Sequence, residues 1–291
     1  MKLFIFGLGY SADCIARDQA SRGAEITGTV RSTAKAQAIA RAGVTVRAFS
    51  PDHRDPRIAA DIADCEALLV SIPPGTDGDP VLAAYAAAIA SAPKLRWIGY
   101  LSTIGIYGDH KGQWVDERTP ASPDSERSIE RAKAEHGWHD LGDASQKPVH
   151  LFRLAGIYGP GRNQLVQLAH GTARRIVKPG QVFNRIHVQD IARVVNASLA
   201  HPRAGAIYNV TDNEPAPPQD VVAFAASLLG RDPPPEIAIE DAVLTAMGRS
   251  FYDENKRVSN DLLRSELGVE LQYPTYREGL TALYKAGDGR T

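Results

Sequence analysis

Short, almost wholly apolar runs alternate with longer Ala-rich amphipathic stretches through the first half of this chain, and that alternation leaves few folds open. Residues 2–6 (K-L-F-I-F) are too few for a helix and rich in strand formers. A helical pattern over 11–22 follows, ended by Gly23, then a strand over 25–30, a helix over 33–41 stopped at Gly43, and a strand over 44–49. Residues 67–72 (A-L-L-V-S-I) make a fourth strand, halted by Pro73-Pro74-Gly75. An Ala-rich helix over 79–91 and strands over 96–102 and 150–154 complete the series. Strands that are apolar on both faces must be covered on both faces, so the pattern predicts an α/β fold with a doubly wound parallel sheet.

The texture changes after Arg162, where Pro, Gly and Arg become frequent. Strand-like runs are short there (185–188, 206–210, 236–239), and helical patterns cover 190–200, 218–229, 241–248 and 260–267. We expect a sheet domain over 1–162, with the strand near 206–210 joining its sheet, and a smaller mixed α/β lobe over most of 163–291. Length allows this division, since 291 residues suit one large domain or two small ones.

Charge narrows the partners. Thirty-three Lys and Arg against 34 Asp and Glu leave a net charge of −1, without the basic excess that nucleic-acid binding calls for. No apolar run approaches a membrane span, and residues 1–6 read as a strand, not as a signal peptide. Cys14 and Cys65 are too few for a disulfide framework, and the histidines lack metal-ligand spacing. The expectation is a cytoplasmic protein with no membrane or nucleic-acid partner and no metal, acting on a small molecule.

The first strand runs directly into Gly7-Leu8-Gly9-Tyr10-Ser11-Ala12, a G-x-G-x-x-A turn that opens a helix. Gly7 permits the tight turn, Gly9 lets backbone approach a pyrophosphate, and small Ala12 lets the helix pack on the strand. The helix start, at Tyr10 and Ser11, offers free N–H groups and a positive dipole end. This is a Rossmann-type dinucleotide site by pattern. An acid ending the second strand would read a ribose 2′-hydroxyl, but here the strand ends Thr29-Val30-Arg31-Ser32. Arg31 and Ser32 suit a 2′-phosphate, so NADP is expected over NAD; the plainer reading leaves Arg31 solvated.

Further along, Leu101-Ser102-Thr103-Ile104-Gly105-Ile106-Tyr107-Gly108 resembles the S-[ST]-x-x-[VI]-Y-G segment of extended short-chain dehydrogenases/reductases, the NAD-dependent epimerase/dehydratase superfamily. The run from Arg153 to Gly161 is similar to that family's R-L-x-x-[VI]-Y-G-P-G, the run from Arg185 to Ala192 to its [RF]-I-H-V-x-D-[LIV]-A, and Tyr208-Asn209-Val210 to its [YF]-N-[VI]. These matches fall in the family's order. The resemblance implies that Ser71, Ile72 and Pro73 flank the cofactor, that Thr103 orients a reacting oxygen, and that Tyr158, Arg162 and Arg185 face the substrate.

The family's Tyr-x-x-x-Lys pair is missing from its usual helix. Matching its spacing to Glu135 puts Arg127 in the Tyr slot and Arg131 in the Lys slot. Arginine does not give up its proton near neutral pH, so it cannot replace a proton-shuttling Tyr. Both guanidinium groups, one turn apart, are expected near Thr103, where they would attract an anionic substrate. Tyr107 and Tyr158 are the candidate substitute acids, with a packing role as the alternative for Tyr107. The Tyr107/Lys111 and Tyr252/Lys256 spacings are read as coincidence. His187 braces the lobe junction or acts as an acid–base; Asp190 is expected to cap its helix. Arg174, Arg175, Lys178 and Arg185 form a diphosphate-binding cluster or a solvated face, and Asn255-Lys256-Arg257 a weaker one. The resulting expectation is an NAD(P)-dependent oxidoreductase or epimerase/dehydratase-like enzyme on a small polar, perhaps nucleotide-linked, anionic substrate, with a homodimer left open. The alternative is a non-catalytic NADP(H) redox sensor.

Overall fold

Strand formers at residues 2–6 become a strand with four consecutive buried positions, the interior of a wide sheet. The computed structural model describes residues 1–39 and 43–290. In chain order come β1 (Lys2–Phe6), α1 (Tyr10–Ser21), β2 (Glu25–Val30), α2 (Thr33–Ile39), β3 (Val44–Ser50), β4 (His53–Arg54), α3 (Ile58–Asp64), β5 (Ala67–Val70), α4 (Pro80–Ser91) and β6 (Trp97–Thr103). The end of the helix expected over 33–41 lies outside the described residues. A 3-10 turn (Ile104–Tyr107), β7 (Trp114–Val115), α5 (Glu126–Ser145), β8 (Val149–Leu154) and β9 (Gly156–Tyr158) follow. The remainder holds α6 (Gln164–Ala169), β10 (Arg175–Val177), β11 (Arg185–His187), α7 (Val188–Ala200), β12 (Ala206–Val210), α8 (Pro218–Leu228), β13 (Glu236–Ala238), α9 (Ala246–Asp253), β14 (Arg257–Val258), α10 (Asp261–Ser265) and α11 (Tyr276–Ala286).

The main sheet has the order β12-β8-β6-β5-β1-β2-β3-β4. Its pairings are parallel apart from the antiparallel β3–β4 step. Helices cover both faces, which gives two separate apolar layers, one around Leu3, Ile5 and Ile15 and one around Phe4, Phe6 and Trp138. The chain therefore has the Rossmann-type α/β fold. The strand near 206–210 pairs with β8, and α7 packs against α1, so residues 188–210 belong to the sheet layers. The rest of the C-terminal part builds a smaller lobe around Leu165, Val221 and Leu280. Among the described residues, no helix is long and apolar enough to cross a membrane, and no group of three His, Cys, Asp or Glu is arranged to hold a metal.

Local signals explain most boundaries. Asp79 caps α4 by accepting from Val81 and Leu82 backbone N–H, with Pro80 in the first turn. The helix expected over 241–248 starts later, at Ala246, and runs on to Asp253. Thr245 caps this helix, α9, and the preceding Val243 lies 83% exposed. Asp190 is not a cap either. His187 caps α7 through its ring Nδ1, whereas Asp190 accepts from the backbone N–H of Gln272 (2.7 Å) and Tyr273 (3.0 Å). The His187 ring packs between Tyr158 and Tyr273, and burial lowers its pKa to about 4. It remains neutral in the physiological range.

A buried polar chain crosses the sheet beneath the loops. Glu135 of α5 receives Ser102 Oγ (2.5 Å) and Arg153 Nη2 (2.8 Å), both from neighbouring strands. Arg153 Nη1 donates to Tyr107 Oη (2.9 Å), and that hydroxyl donates to Asn209 Oδ1 (2.8 Å) on β12. Asn209 backbone N–H in turn donates to Glu117 (2.7 Å), which covers the edge of the sheet. Tyr107 is fully buried and its ring lies under the Arg153 guanidinium. Replacing Tyr107 by Phe leaves a buried guanidinium N–H and an amide oxygen without their partner. The expected loss is about 1–3 kcal/mol of stability, measured as a lower urea midpoint; an unchanged midpoint contradicts this role.

Candidate functional site

The glycine turn lies at the carboxyl ends of the central strands, where open α/β sheets bind ligands. Gly7 has φ +89°, and a Cβ there would stand 2.7 Å from Ile72 Cγ1, so a side chain is excluded twice over. Thr29 holds the turn against β2. Its hydroxyl accepts from Gly7 N–H (2.9 Å) and its carbonyl from Leu8 N–H (2.8 Å). Gly28, below it, makes room for the Leu8 side chain. The sequence reading missed Thr29; its place next to the strand end was the available signal, since a hydroxyl there reaches the first amide of the turn that follows the adjacent strand.

Gly9 is different. A Cβ built on it meets no protein atom within 4 Å, so the glycine serves no internal packing need. Open space beside the first turn of α1 is what a close-approaching pyrophosphate requires. Ser11 and Ala12 turn inward and are buried, while Tyr10 is on the surface at 37% exposure. Ser71 and Ile72 run alongside the turn, with Ser71 N–H donating to Phe6 carbonyl (2.9 Å), and Pro73 lies exposed just beyond. Arg31 and Ser32 are exposed at the end of β2, and Ser32 Oγ accepts from Lys35 N–H (3.3 Å). Arg31 has no ion-pair partner among the described residues.

Thr103 ends β6, half-buried, and its hydroxyl accepts from Gly105 N–H (3.1 Å). Helix α5 enters directly against this turn. Ser125 caps it, and Ser128 Oγ would lie 2.9 Å from a Cβ on Gly105. Ser128 is a second residue that the sequence reading passed over. Arg131 lies along β6, donating from Nη1 to Leu101 carbonyl (3.0 Å) and Tyr100 Oη (3.1 Å). Arg127 does not join it. Ser128, about 100° further round the helix, occupies the inward position, and Arg127 stands exposed without a hydrogen bond or ion pair among the described residues.

The candidate acids and the lobe cations are corrected as well. The Tyr107 hydroxyl is committed to Arg153 and Asn209, and burial raises its pKa, so it offers no proton to a ligand near Thr103. Tyr158 is 5% exposed, packs in the lobe core against Gly279, and donates to Thr275 carbonyl (3.4 Å). Arg185 is 7% exposed and donates to the carbonyls of Phe183 and Ala216. Both side chains are buried and bonded to carbonyls of the lobe itself. The cluster of basic residues is dispersed in the same way: Arg174 binds Val243 carbonyl, Arg175 pairs with Glu236, and Lys178 holds Tyr252 carbonyl. Lys256, buried at the Gly108 carbonyl, and Arg257, at that of Gly112, fasten the lobe to the loop after Tyr107. Arg162 is exposed, with its guanidinium 5.6 Å from the centre of the Tyr10 ring. A groove of about 1060 Å³ lined by Trp114, Asp116, Asp212 and Arg264 shares no residue with the glycine turn.

No family model matches the chain. A solved structure of a functionally unknown conserved protein from Silicibacter pomeroyi DSS is 48% identical, covers 99% of each chain and superposes with a TM-score of 0.90. Protein YeeZ of Escherichia coli (strain K12) is 28% identical across 94% of this chain and 96% of its own. A structure described as a candidate NAD-dependent epimerase/dehydratase from Methylobacillus flagellatus is 26% identical over 98% of each chain, with a TM-score of 0.69. The fold alone is shared with the Bacillus anthracis dTDP-glucose 4,6-dehydratase in complex with NAD (17% identity, TM-score 0.77). It is shared likewise with the human epimerase family protein SDR39U1 with NADPH (16%, 0.72). By its sheet order, its glycine turn and these likenesses, the chain belongs to the NAD-dependent epimerase/dehydratase superfamily.

Proposed function

We propose that the chain binds NADP(H) across the carboxyl edge of its sheet, in preference to NAD(H), and takes an anionic small molecule beside the nicotinamide. The observation that carries this reading is the unfilled space at Gly9 next to the tightly turned Gly7. Gly7, Gly9, Tyr10, Ser11 and Ala12 would seat the pyrophosphate, Arg31 and Ser32 the 2′-phosphate, and Ser71 to Pro73 would flank the cofactor. Structures of the same fold carrying NAD and NADPH support the general class of ligand. When bound, the nicotinamide supplies hydride transfer.

The chain's own residues supply the rest. Arg131, already ordered against β6, keeps its Nε and Nη2 groups for a ribose hydroxyl or a substrate anion, in the slot of the family's Lys. Thr103 orients the reacting oxygen, and Arg131 supplies positive charge but no proton shuttle. On this reading the chain is an epimerase/dehydratase-like oxidoreductase without the family's Tyr route. A second reading, a non-catalytic NADP(H) sensor, is favoured by the commitment of both the Tyr107 and Tyr158 hydroxyls within the protein.

Three measurements test these statements. Gly9→Val should leave the chain folded, because a Cβ there meets no protein atom within 4 Å and only a cap preference is lost, and should abolish NADPH binding in a fluorescence titration. Unchanged affinity in the folded variant overturns the dinucleotide site. The natural chain should bind NADPH about ten- to a hundredfold more tightly than NADH, as one charge-assisted phosphate contact provides, and Arg31→Ala should close that gap; equal affinities in the natural chain refute the preference. Finally, NADPH should be consumed when a carbonyl compound bearing a carboxylate or phosphate is added, and not with simple ketones. Binding without turnover across such a panel selects the sensor reading.

A further inference from the structure

The loop after β9 brings a lobe residue to the glycine turn. Gly159 approaches so closely that a Cβ on it would stand 2.6 Å from Tyr10 Oη. The Tyr10 hydroxyl donates to Pro160 carbonyl (3.0 Å), and the Arg162 guanidinium lies over the Tyr10 ring. The loop is stiff. Gly159 and Arg162 exchange backbone hydrogen bonds (3.1 and 3.0 Å), and Asp288 accepts from Gly161 N–H (2.9 Å) and Asn163 Nδ2 (2.6 Å). Asn163 also caps α6 with its side-chain oxygen. Asp288 is thereby used by its neighbours, and the Arg162 side chain has no hydrogen bond or ion pair among the described residues.

Tyr10 is the first residue of α1 and directly follows Gly9, where the space for a ligand lies open. A guanidinium with no hydrogen bond or ion pair among the described residues is thus stacked, from a hydrogen-bonded turn that also carries Asp288, on the residue next to that space. We propose that Arg162 is a pyrophosphate ligand of the bound dinucleotide, positioned by Tyr10, and not a substrate anchor near Thr103. This rests on the dinucleotide reading above and extends it. The glycine turn contributes backbone N–H groups and a dipole end; Arg162 contributes the full positive charge that a phosphate pair selects. Stacking on an aromatic face restricts the side chain before the ligand arrives, so less ordering is needed on binding.

The test uses the full chain, with Arg162→Ala, Arg162→Lys and Tyr10→Leu, and titrates NADPH, ADP and 2′-AMP, the last two by displacement of NADPH fluorescence. ADP carries the diphosphate without the 2′-phosphate; 2′-AMP carries the reverse. Arg162→Ala should weaken NADPH and ADP by a similar factor of about ten or more and leave 2′-AMP unchanged. Arg162→Lys should recover part of the loss, and Tyr10→Leu should weaken the same two ligands less than Arg162→Ala. Because Arg162 is exposed, its variants should keep the natural thermal midpoint. Unchanged NADPH and ADP affinity in Arg162→Ala overturns the proposal while leaving the dinucleotide reading intact, as does an equal loss for 2′-AMP. A natural chain that binds neither NADPH nor ADP overturns both.

Discussion

The ion pair between Arg153 and Glu135 is the contact on which the arrangement of the site depends. Both side chains are 7% exposed, and three elements meet at them: α5 through Glu135, β8 through Arg153, and β6 through Ser102. Burying two charges is costly, and the cost is offset here because each has several partners. Removing one partner of such a pair typically costs about 3–5 kcal/mol. The geometric effect matters as much. Glu135 fixes the rotation of α5, and with it whether residues 128 and 131, or others, face the end of β6. The chain of bonds continues through Tyr107 and Asn209 to the edge strand, so the floor beneath the site behaves as one polar unit.

That rotation explains the altered catalytic slots. Arg131 sits one helical turn before Glu135, on the same stripe, and is drawn down onto the Leu101 carbonyl and the Tyr100 ring. Arg127, one turn earlier still, stands exposed with no hydrogen bond or ion pair among the described residues. The result is a half-buried Thr103 hydroxyl at the end of β6 with Arg131 bound along the same strand, while Arg127 stands away from both.

Much of the sheet domain was legible. The bounds of β1, β2 and β12 agree with the sequence reading, because each is a short apolar run bounded by turn residues. The glycine turn was equally plain; Thr103 ends β6, and Arg131 bonds to Tyr100 and Leu101 of the same strand. Failures cluster in the lobe. The helix expected over 241–248 ignored Thr245, a stronger cap than Asp241, and α11 was overlooked despite its Thr275/Glu278 capping box. Tyr158 and Arg185 were expected to face a substrate, and the Arg174–Lys178 cluster to hold a diphosphate or lie solvated, because polar side chains in an irregular lobe suggest a surface. Their hydrogen bonds run instead to carbonyls of the lobe itself, which irregular segments leave unsatisfied until some side chain reaches them.

By itself the sequence determined the parallel sheet, its first βα turn, the missing Tyr-x-x-x-Lys pair and the cation at the end of β2. Each follows from periodicity or from a residue type at a fixed spacing along one element. The tertiary structure alone decided which polar residues are free to meet a ligand. Tyr107 is spent on Asn209, 102 positions away, and Arg162 is carried to Tyr10, whose hydroxyl holds the loop 150 positions downstream. Such pairings depend on how loops from two layers pack, and no local pattern encodes them. Burial has the same origin: one arginine at the sheet edge and another inside the lobe are chemically identical in sequence, and only the packing around them separates a binding group from a brace.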